Sequence, residues 1–379
     1  MTAPDSPELA DRAAGWAGAY VHIPFCARQC PYCDFTVVVG RDAEADRYLE
    51  ALSIEIASGP PWRPLDAVYV GGGTPTRLGA RRLATIVETL ADRFGLASDA
   101  EVGLEANPED WSPEMARELA AAGFGRVSFG AQSFDRRVLA ALGRCHTPAD
   151  VARAVEVARR AGFGSVNLDL IYGHPVEDAR SWTTTVEAAL GLAPDHLSVY
   201  ALTVEPGTKL WRDVRAGASA PDPDVQADRW EEVQVRAEAS GLVRYEVSNL
   251  ARPGHACRYN LTVWAGGQYL GFGVGAHGFR DGVRRANVRR LDTYLDRVRA
   301  GLGAVQSSDL VSGAEAERER LMLGLRRAAG AVLGQGGEAF VASDEGRRLL
   351  DAGVVEVRDG RLVVLRPLLT DLVIRSVLG

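Results

Sequence analysis

The chain has 379 residues and a formal net charge of −7 at pH 7. The negative net charge and the lack of clustered Lys and Arg argue against a nucleic-acid-binding surface. No apolar run in the sequence is long enough to span a bilayer. Residues 1–17 lack the basic and apolar regions of a secretory signal, so we expect a flexible tail there and a cytoplasmic protein.

A strand–helix alternation follows the tail. Six short apolar segments, each followed by Gly, Pro or polar residues, predict strands at Ala19–Ile23, Ala67–Val70, Glu101–Glu105, Arg126–Phe129, Ser165–Ile171 and His196–Leu202. Helical periodicity between them predicts helices at Ala43–Ser58, Ala80–Phe94, Pro113–Ala122, Ala149–Ala161 and Trp182–Leu192. This alternation predicts an α/β domain with a parallel sheet over residues 18–220, either open or curved into a partial barrel.

The chain changes character after residue 220. A helix predicted near Val225–Ala239 begins a mixed α/β, Gly-rich extension over residues 221–305. Over residues 306–379 the pattern predicts helices, then a hairpin whose turn is Asp359-Gly360, then a final helix. We interpret this last part as a small winged-helix-like domain. Because it is not strongly basic, packing or partner contact is favoured over DNA binding.

The strongest chemical signal lies just after the first predicted strand, where Cys26, Cys30 and Cys33 occur within eight residues. Closely spaced Cys thiolates hold iron–sulfur clusters, and Phe35 stands where a fourth Cys would be expected. Three thiolates would therefore bind three irons of a [4Fe–4S] cluster and leave one iron open. Zinc is the alternative and would require a fourth protein ligand such as His22. Buried apolar thiols are the third interpretation.

Polar residues and glycines follow the other predicted strands. The segment Gly71–Thr74 follows the second strand, Glu105 ends the third, Gln132 follows the fourth, and Asp169 lies in the fifth. Each alone is compatible with a turn or a buried structural role. Because parallel α/β proteins bind ligands at the carboxyl ends of their strands, these residues and the cysteines together predict one ligand site.

The C-x3-C-x2-C spacing resembles the radical S-adenosylmethionine (SAM) superfamily. The resemblance implies a partial (β/α)6 barrel in which SAM chelates the open iron and can be cleaved by one electron to methionine and a 5′-deoxyadenosyl radical. Further segments resemble the coproporphyrinogen III dehydrogenase-like branch: Glu105–Pro108, Gly130–Phe134, Leu142–Arg144, Asp169–Gly173 and Tyr269–Phe279. By this resemblance the SAM site comprises Tyr20, Gly72, Gly73, Thr74, Glu105, Gln132, Arg144 and Asp169.

Within this branch, Cys-Asp-Phe at residues 33–35 resembles the HemW family of haem chaperones. The dehydrogenases of the branch instead carry a Cys at the position of Phe35 and have a longer N-terminal segment. The resemblance implies that the chain binds haem and passes it to an acceptor protein, for which a membrane-associated protein is one option.

The family's HNxxYW haem motif corresponds to residues 259–264 of this chain. Asn260 and Trp264 are the same as in the motif, whereas Tyr259 replaces its His and Val263 replaces its Tyr. Tyr and Cys can ligate haem iron as His does. Tyr259, Cys257 and His255 are therefore candidate axial ligands, with ordinary packing as the alternative for each.

The sequence is compatible with two functions other than that of a haem chaperone. It leaves open whether the chain is an enzyme. A HemN-like radical SAM methyltransferase is the second hypothesis, and it would release S-adenosylhomocysteine. Oxygen-independent coproporphyrinogen III oxidation is the third and is disfavoured by Phe35. A haem chaperone would bind haem and form no SAM-derived product beyond abortive cleavage.

Overall fold

The computed structural model describes residues 6–378. Its centre is formed by six strands: β1 Ala17–Ile23, β2 Leu65–Gly72, β3 Leu96–Ala106, β4 Arg126–Gln132, β5 Ser165–Tyr172 and β6 His196–Ala201. Each pairs in parallel with the next strand along the chain. The predicted parallel α/β domain is confirmed.

Helices precede, connect and follow these strands: α1 Pro7–Ala14, α2 Ala45–Ser58, α3 Ala80–Phe94, α4 Pro113–Ala121, α5 Arg136–Ala141, α6 Pro148–Ala161, α7 Ala179–Gly191, α8 Lys209–Arg215 and α9 Pro223–Ala239. Local sequence sets their ends. The Ser112 hydroxyl caps α4 by accepting the Met115 N–H at 3.1 Å. Gly162, at φ +96°, ends α6 in the left-handed conformation that glycine adopts without strain.

Alternate residues of the central strands face opposite sides of the sheet. In β4, Val127 and Phe129 belong to the hydrophobic core that packs against the helices. The intervening Ser128 lines a cavity, and so do Asp169 of β5 and Ser198 of β6. Because side chains from successive strands line the same cavity, the sheet curves around it.

Residues 221–310 continue this sheet, five residues beyond the predicted end of the extension at residue 305. Their strands are β7 Val243–Arg244, β8 Asn249–Ala251, β9 Gln268–Phe272, β10 His277–Arg280, β11 Val283–Asn287 and β12 Val305–Leu310, with helices α10 Arg258–Trp264 and α11 Leu291–Arg299. The order of the twelve strands is β12-β11-β10-β9-β1-β2-β3-β4-β5-β6-β8-β7, and β9 runs parallel to β1. In the described chain the two ends of this sheet, β12 and β7, do not pair with each other.

The C-terminal part has its own hydrophobic core, which includes Leu321, Phe340, Leu362 and Ile374. It comprises α12 Gly313–Gly324, β13 Ala331–Val332, α13 Gly334–Ala342, α14 Asp344–Asp351, β14 Val355–Arg358, β15 Arg361–Val364 and α15 Thr370–Leu378. Asp359 and Gly360 both have positive φ, as a two-residue hairpin turn requires. None of the helices within residues 6–378 is long and apolar enough to cross a bilayer.

The flexible tail predicted for residues 1–17 is wrong where the structure describes it, since α1 forms there; residues 1–5 lie outside the described residues. The Ser6 hydroxyl accepts the Leu9 N–H at 3.2 Å and caps the helix. Ala13 is fully buried in a small cluster with Tyr245 and Leu261. An isolated helix of this length is unstable in water, so its stability comes from packing that the local sequence does not reveal.

This packing predicts that Ala13→Asp lowers the free energy of unfolding by about 3 kcal/mol, because it buries a carboxylate without a partner. The neighbouring Ala14 is exposed, and Ala14→Asp should change that energy by less than about 1 kcal/mol. Urea denaturation followed by circular dichroism measures both. Equal stability of the two variants would mean that α1 does not pack on the domain.

Candidate functional site

A cavity of about 620 Å³ opens at the carboxyl ends of the central strands and continues into the interior of the sheet. Most of the predicted site residues line it: Cys26, Cys30, Cys33, Gly72, Gly73, Thr74, Glu105, Gln132, Arg144, Asp169 and Asn260. Tyr20, Tyr259 and Trp264 are not part of this lining. The structure therefore brings together the residues predicted to hold the cluster and most of those predicted to hold SAM. Of the residues predicted for haem, Asn260 and Cys257 share this cavity, whereas Tyr259 and Trp264 do not.

The loop that carries the cysteines is held at its base by backbone hydrogen bonds. The Val38 N–H donates to the carbonyl of Pro24 at 2.8 Å, and the Thr74 N–H donates to that of Phe25 at 2.9 Å. Within residues 6–378, no three Cys, His, Asp or Glu side chains are arranged to hold a single metal ion. The cysteines instead line one end of the cavity, where a larger group would contact all three.

His22, the fourth ligand that zinc would require, is engaged elsewhere. Its Nε2 lies 2.7 Å from the carbonyl oxygen of Thr36, and since a carbonyl can only accept, this nitrogen carries the proton. Its Nδ1 lies 3.4 Å from the Tyr20 hydroxyl. Burial lowers the pKa of His22. Both ring nitrogens therefore have partners, and the zinc interpretation loses its fourth ligand.

The glycine segment forms a surface on which side chains would not fit. A Cβ atom at Gly71 would lie 2.8 Å from Glu105 Oε1, and one at Gly73 would lie 2.9 Å from Cys26 Sγ. Gly72 has φ +115° and donates its N–H to Glu105 Oε2 at 3.0 Å. Only glycine satisfies these limits, and it leaves backbone open to a ligand beside Cys26.

Two partly buried carboxyl groups face the same cavity. Burial, and then the charge of Asp169, raise the pKa of Glu105 to about 8. Burial also raises the pKa of Asp169, whose carboxylate accepts hydrogen bonds of 2.8 Å from Ser128 and from Asn167. Because two carboxylates in one low-dielectric cavity repel each other, a cationic ligand between them would be strongly favoured.

Arg144 connects the cysteine loop to the strand ends. Its Nη2 donates to Asn107 Oδ1 at 2.5 Å, and its Nη1 lies 3.8 Å from Cys30 Sγ. Gln132, at φ +62°, presents a buried Oε1 for which no hydrogen-bond partner lies within the described residues. Such an acceptor fits a ligand that donates hydrogen bonds.

Comparison with known proteins agrees with this arrangement. The family model of the radical SAM superfamily matches residues 20–189. The chain is 42% identical to heme chaperone HemW of Mycobacterium tuberculosis, over 98% of this chain and 97% of that protein. It is 37% identical to heme chaperone HemW of Bacillus subtilis, over 82% of this chain and 84% of that protein. The chain belongs to the HemW family.

The fold of this HemW-family chain also resembles that of coproporphyrinogen III oxidase (HemN) from Escherichia coli. The TM-score is 0.80 at 25% sequence identity, and the match covers 99% of this chain and 90% of that one. The predicted partial barrel with its C-terminal extension and the predicted radical SAM membership are both confirmed.

The segment that corresponds to the HemW haem motif forms α10, whose residues have three different surroundings. The Tyr259 ring stacks with Tyr20 at 5.8 Å and with Tyr69 at 5.9 Å between ring centroids. Asn260 lines the cavity, and the guanidinium of Arg326 lies 5.7 Å from the ring of Trp264. Residues five positions apart on a helix lie about 140° apart around its axis, so Tyr259 and Trp264 do not face one ligand.

Sequence reasoning missed the polar residues that line the inner part of the cavity: Asn107, Arg126, Ser128, Asn167, His196 and Ser198. A signal for several of them was present, because they alternate with apolar residues inside the predicted strands. In β6, for example, His196 and Ser198 line the cavity, and the intervening Leu197 and the following Val199 belong to the core. Such an alternation within a buried parallel strand indicates a polar interior.

The raised pKa of Glu105 predicts a pH dependence of stability in the cofactor-free protein. The folded state retains this proton up to about pH 8 and the unfolded state loses it near 4.5, so wild-type stability falls as the pH rises between these values. Glu105→Gln removes that loss. We expect the variant to gain about 2–4 kcal/mol relative to wild type between pH 5 and pH 9, measured by urea denaturation. A constant difference across this range would contradict the assigned protonation.

Proposed function

We propose that this member of the HemW family is a haem chaperone that holds a [4Fe–4S] cluster on Cys26, Cys30 and Cys33, binds SAM beside it and passes haem to an acceptor protein. The observation that carries the proposal is the convergence of these cysteines, the glycine surface and two carboxyl groups on one cavity. The match to proteins named heme chaperone HemW over most of both chains supports the haem function.

The chain's own residues supply what the cofactors require. When bound, the cluster and SAM provide one-electron chemistry. Arg144 donates toward Cys30 Sγ, and the backbone at Gly72 and Gly73 allows close approach of a ligand to Cys26. Glu105 and Asp169 present two carboxyl groups toward the ammonium and sulfonium charges of SAM.

Among the three expected axial ligands, we propose that His255 binds haem. Burial raises the pKa of the Cys257 thiol to about 12, so this side chain is not a thiolate at neutral pH. The Tyr259 ring stacks with Tyr20 and Tyr69, and burial raises the pKa of its hydroxyl well above the ordinary value. His255 is partly buried, and its carbonyl is fixed by a 2.8 Å hydrogen bond from Arg126.

One further feature, Phe35, agrees with a chaperone rather than a dehydrogenase. Phe35 has 62% of its surface exposed beside the cysteine loop, where the dehydrogenases carry another Cys. An exposed aromatic side chain at the cavity mouth suits contact with a flat apolar ligand or a partner protein. We place this function in the cytoplasm, because reduced thiols persist there.

The cluster assignment predicts that Cys30→Ala loses most of the iron and sulfide that the wild-type protein retains after anaerobic reconstitution. The control is Cys145→Ser, because Cys145 is exposed and its thiol lies 3.1 Å from Glu109 Oε1, outside the predicted ligand set. That variant should retain full iron and sulfide. Chemical analysis and visible absorption measure both, and full iron in Cys30→Ala would exclude the three-cysteine site.

The chaperone function predicts saturable binding of one haem per chain, followed by the Soret band during titration of the reconstituted protein. His255→Ala should weaken this binding about tenfold or more, because the ligand is lost. Tyr259→Phe keeps the stacked ring and should bind haem like wild type. No binding beyond that of an unrelated protein, together with release of S-adenosylhomocysteine, would instead favour the HemN-like methyltransferase.

A further inference from the structure

A continuous chain of hydrogen bonds leads through the interior of the sheet to Asp169. The Tyr245 hydroxyl lies 2.8 Å from His196 Nε2, and His196 Nδ1 lies 2.7 Å from Asn167 Oδ1. Asn167 Nδ2 in turn lies 2.8 Å from Asp169 Oδ1. Tyr245, His196 and Asn167 are all at least 96% buried, so water does not compete for these contacts.

The chemistry of the groups fixes the direction of every bond in this chain. A carboxylate only accepts, so the nitrogen of the Asn167 amide faces Asp169 and the amide oxygen faces His196. The His196 proton must then be on Nδ1, and its Nε2 accepts from the Tyr245 hydroxyl. Burial, followed by the charge of Arg126, lowers the pKa of His196 well below its ordinary value, which keeps the imidazole neutral.

The other end of the chain agrees with this direction. The Cys257 N–H lies 3.4 Å from the Tyr245 hydroxyl oxygen, so it can only donate to that oxygen and leaves the hydroxyl proton for His196. All donors therefore point from the start of α10 toward the carboxylate of Asp169. Aligned hydrogen bonds of this kind reinforce one another in a low-dielectric interior.

Loss of the Tyr245 hydroxyl would weaken the common direction of these hydrogen bonds. Asp169, Ser128 and Ser198 would still contact the Asn167 amide nitrogen, but without a donor at Nε2 the Nε2–H tautomer of His196 is no longer opposed. That tautomer leaves Nδ1 as an acceptor that favours a reversed Asn167 amide. The reversed amide places its oxygen against the oxygen of Asp169. Asp169 would then lose a donor and gain a repulsive contact, so its ionised form would be less stable.

We propose that Tyr245 and His196 are positioning residues for SAM, because they hold Asn167 in the orientation that donates to Asp169 and so keep this carboxylate ionised toward the ligand. The inference rests on the proposed function in that Asp169 faces SAM. Tyr245 is not among the residues that line the cavity, so its effect on SAM must pass through His196 and Asn167.

The test is the affinity of the reconstituted protein for SAM, measured by equilibrium dialysis from pH 6 to pH 9. Tyr245→Phe should weaken binding about tenfold at pH 7. Glu105 titrates in the same range in both proteins, so the two are compared at each pH. The affinity of the variant should approach that of wild type at the same pH as the pH rises, because deprotonation restores the Asp169 carboxylate. The control is Tyr294→Phe, which removes another fully buried hydroxyl, bonded to Glu55 at 2.7 Å, and should bind SAM like wild type.

Asp169→Asn tests the contact of Asp169 with SAM separately from the positioning role of Tyr245 and His196. This variant should bind SAM weakly at every pH. Normal SAM binding by wild type and by Tyr245→Phe, with a loss in Asp169→Asn, overturns the positioning role alone. A loss in Tyr245→Phe that does not recover at high pH also overturns it, because it indicates general damage. Absence of SAM binding by wild type overturns the proposed function together with this inference.

Discussion

Polar groups buried inside a sheet destabilise a fold unless they are hydrogen-bonded, and the interior of this curved sheet is organised by that requirement. Ser128 and Asn167 donate to Asp169, and the Gly72 N–H donates to Glu105. The carboxyl groups are thus held in place before any ligand arrives. A fixed arrangement of this kind lowers the reorganisation that ligand binding would otherwise require.

The same requirement explains how the inner end of the cavity is closed. Arg126, at the start of β4, forms an ion pair of 2.8 Å with Glu101 and donates to the carbonyl of His255. Glu101 also accepts a hydrogen bond of 2.7 Å from the backbone N–H of Arg258, the first residue of α10. Helix α1 then packs on α10 through Ala13. The segment that resembles a haem motif therefore also closes this end of the domain.

The part of the site at the carboxyl ends of the strands could largely be predicted from the sequence, because it depends on which residues follow each strand. The cysteines, the glycine segment and Glu105 each follow a strand, and parallel strands bring their carboxyl ends to one edge. The bounds of α3, Ala80–Phe94, were also predicted from periodicity.

The remainder depends on contacts between distant segments. Pairing of β9 with β1 joins residues about 250 positions apart, and no local pattern specifies such a partner. Helix α1 is stable only through tertiary packing. The polar alternation of β6 was visible in the sequence, but it did not reveal that Tyr245, from outside the six central strands, would complete the hydrogen bonds of His196.

The choice between His255 and Tyr259 as haem ligand can be argued from energies. Withdrawing Tyr259 from its stacks with Tyr20 and Tyr69 would cost about 0.5–1.5 kcal/mol for each ring pair. His255 precedes α10, and its side chain already reaches solvent. Coordination by His255 leaves the ring stack and the closure of the cavity intact, whereas coordination by Tyr259 would disrupt both. The stacking of Tyr259 therefore supports the proposed ligation by His255.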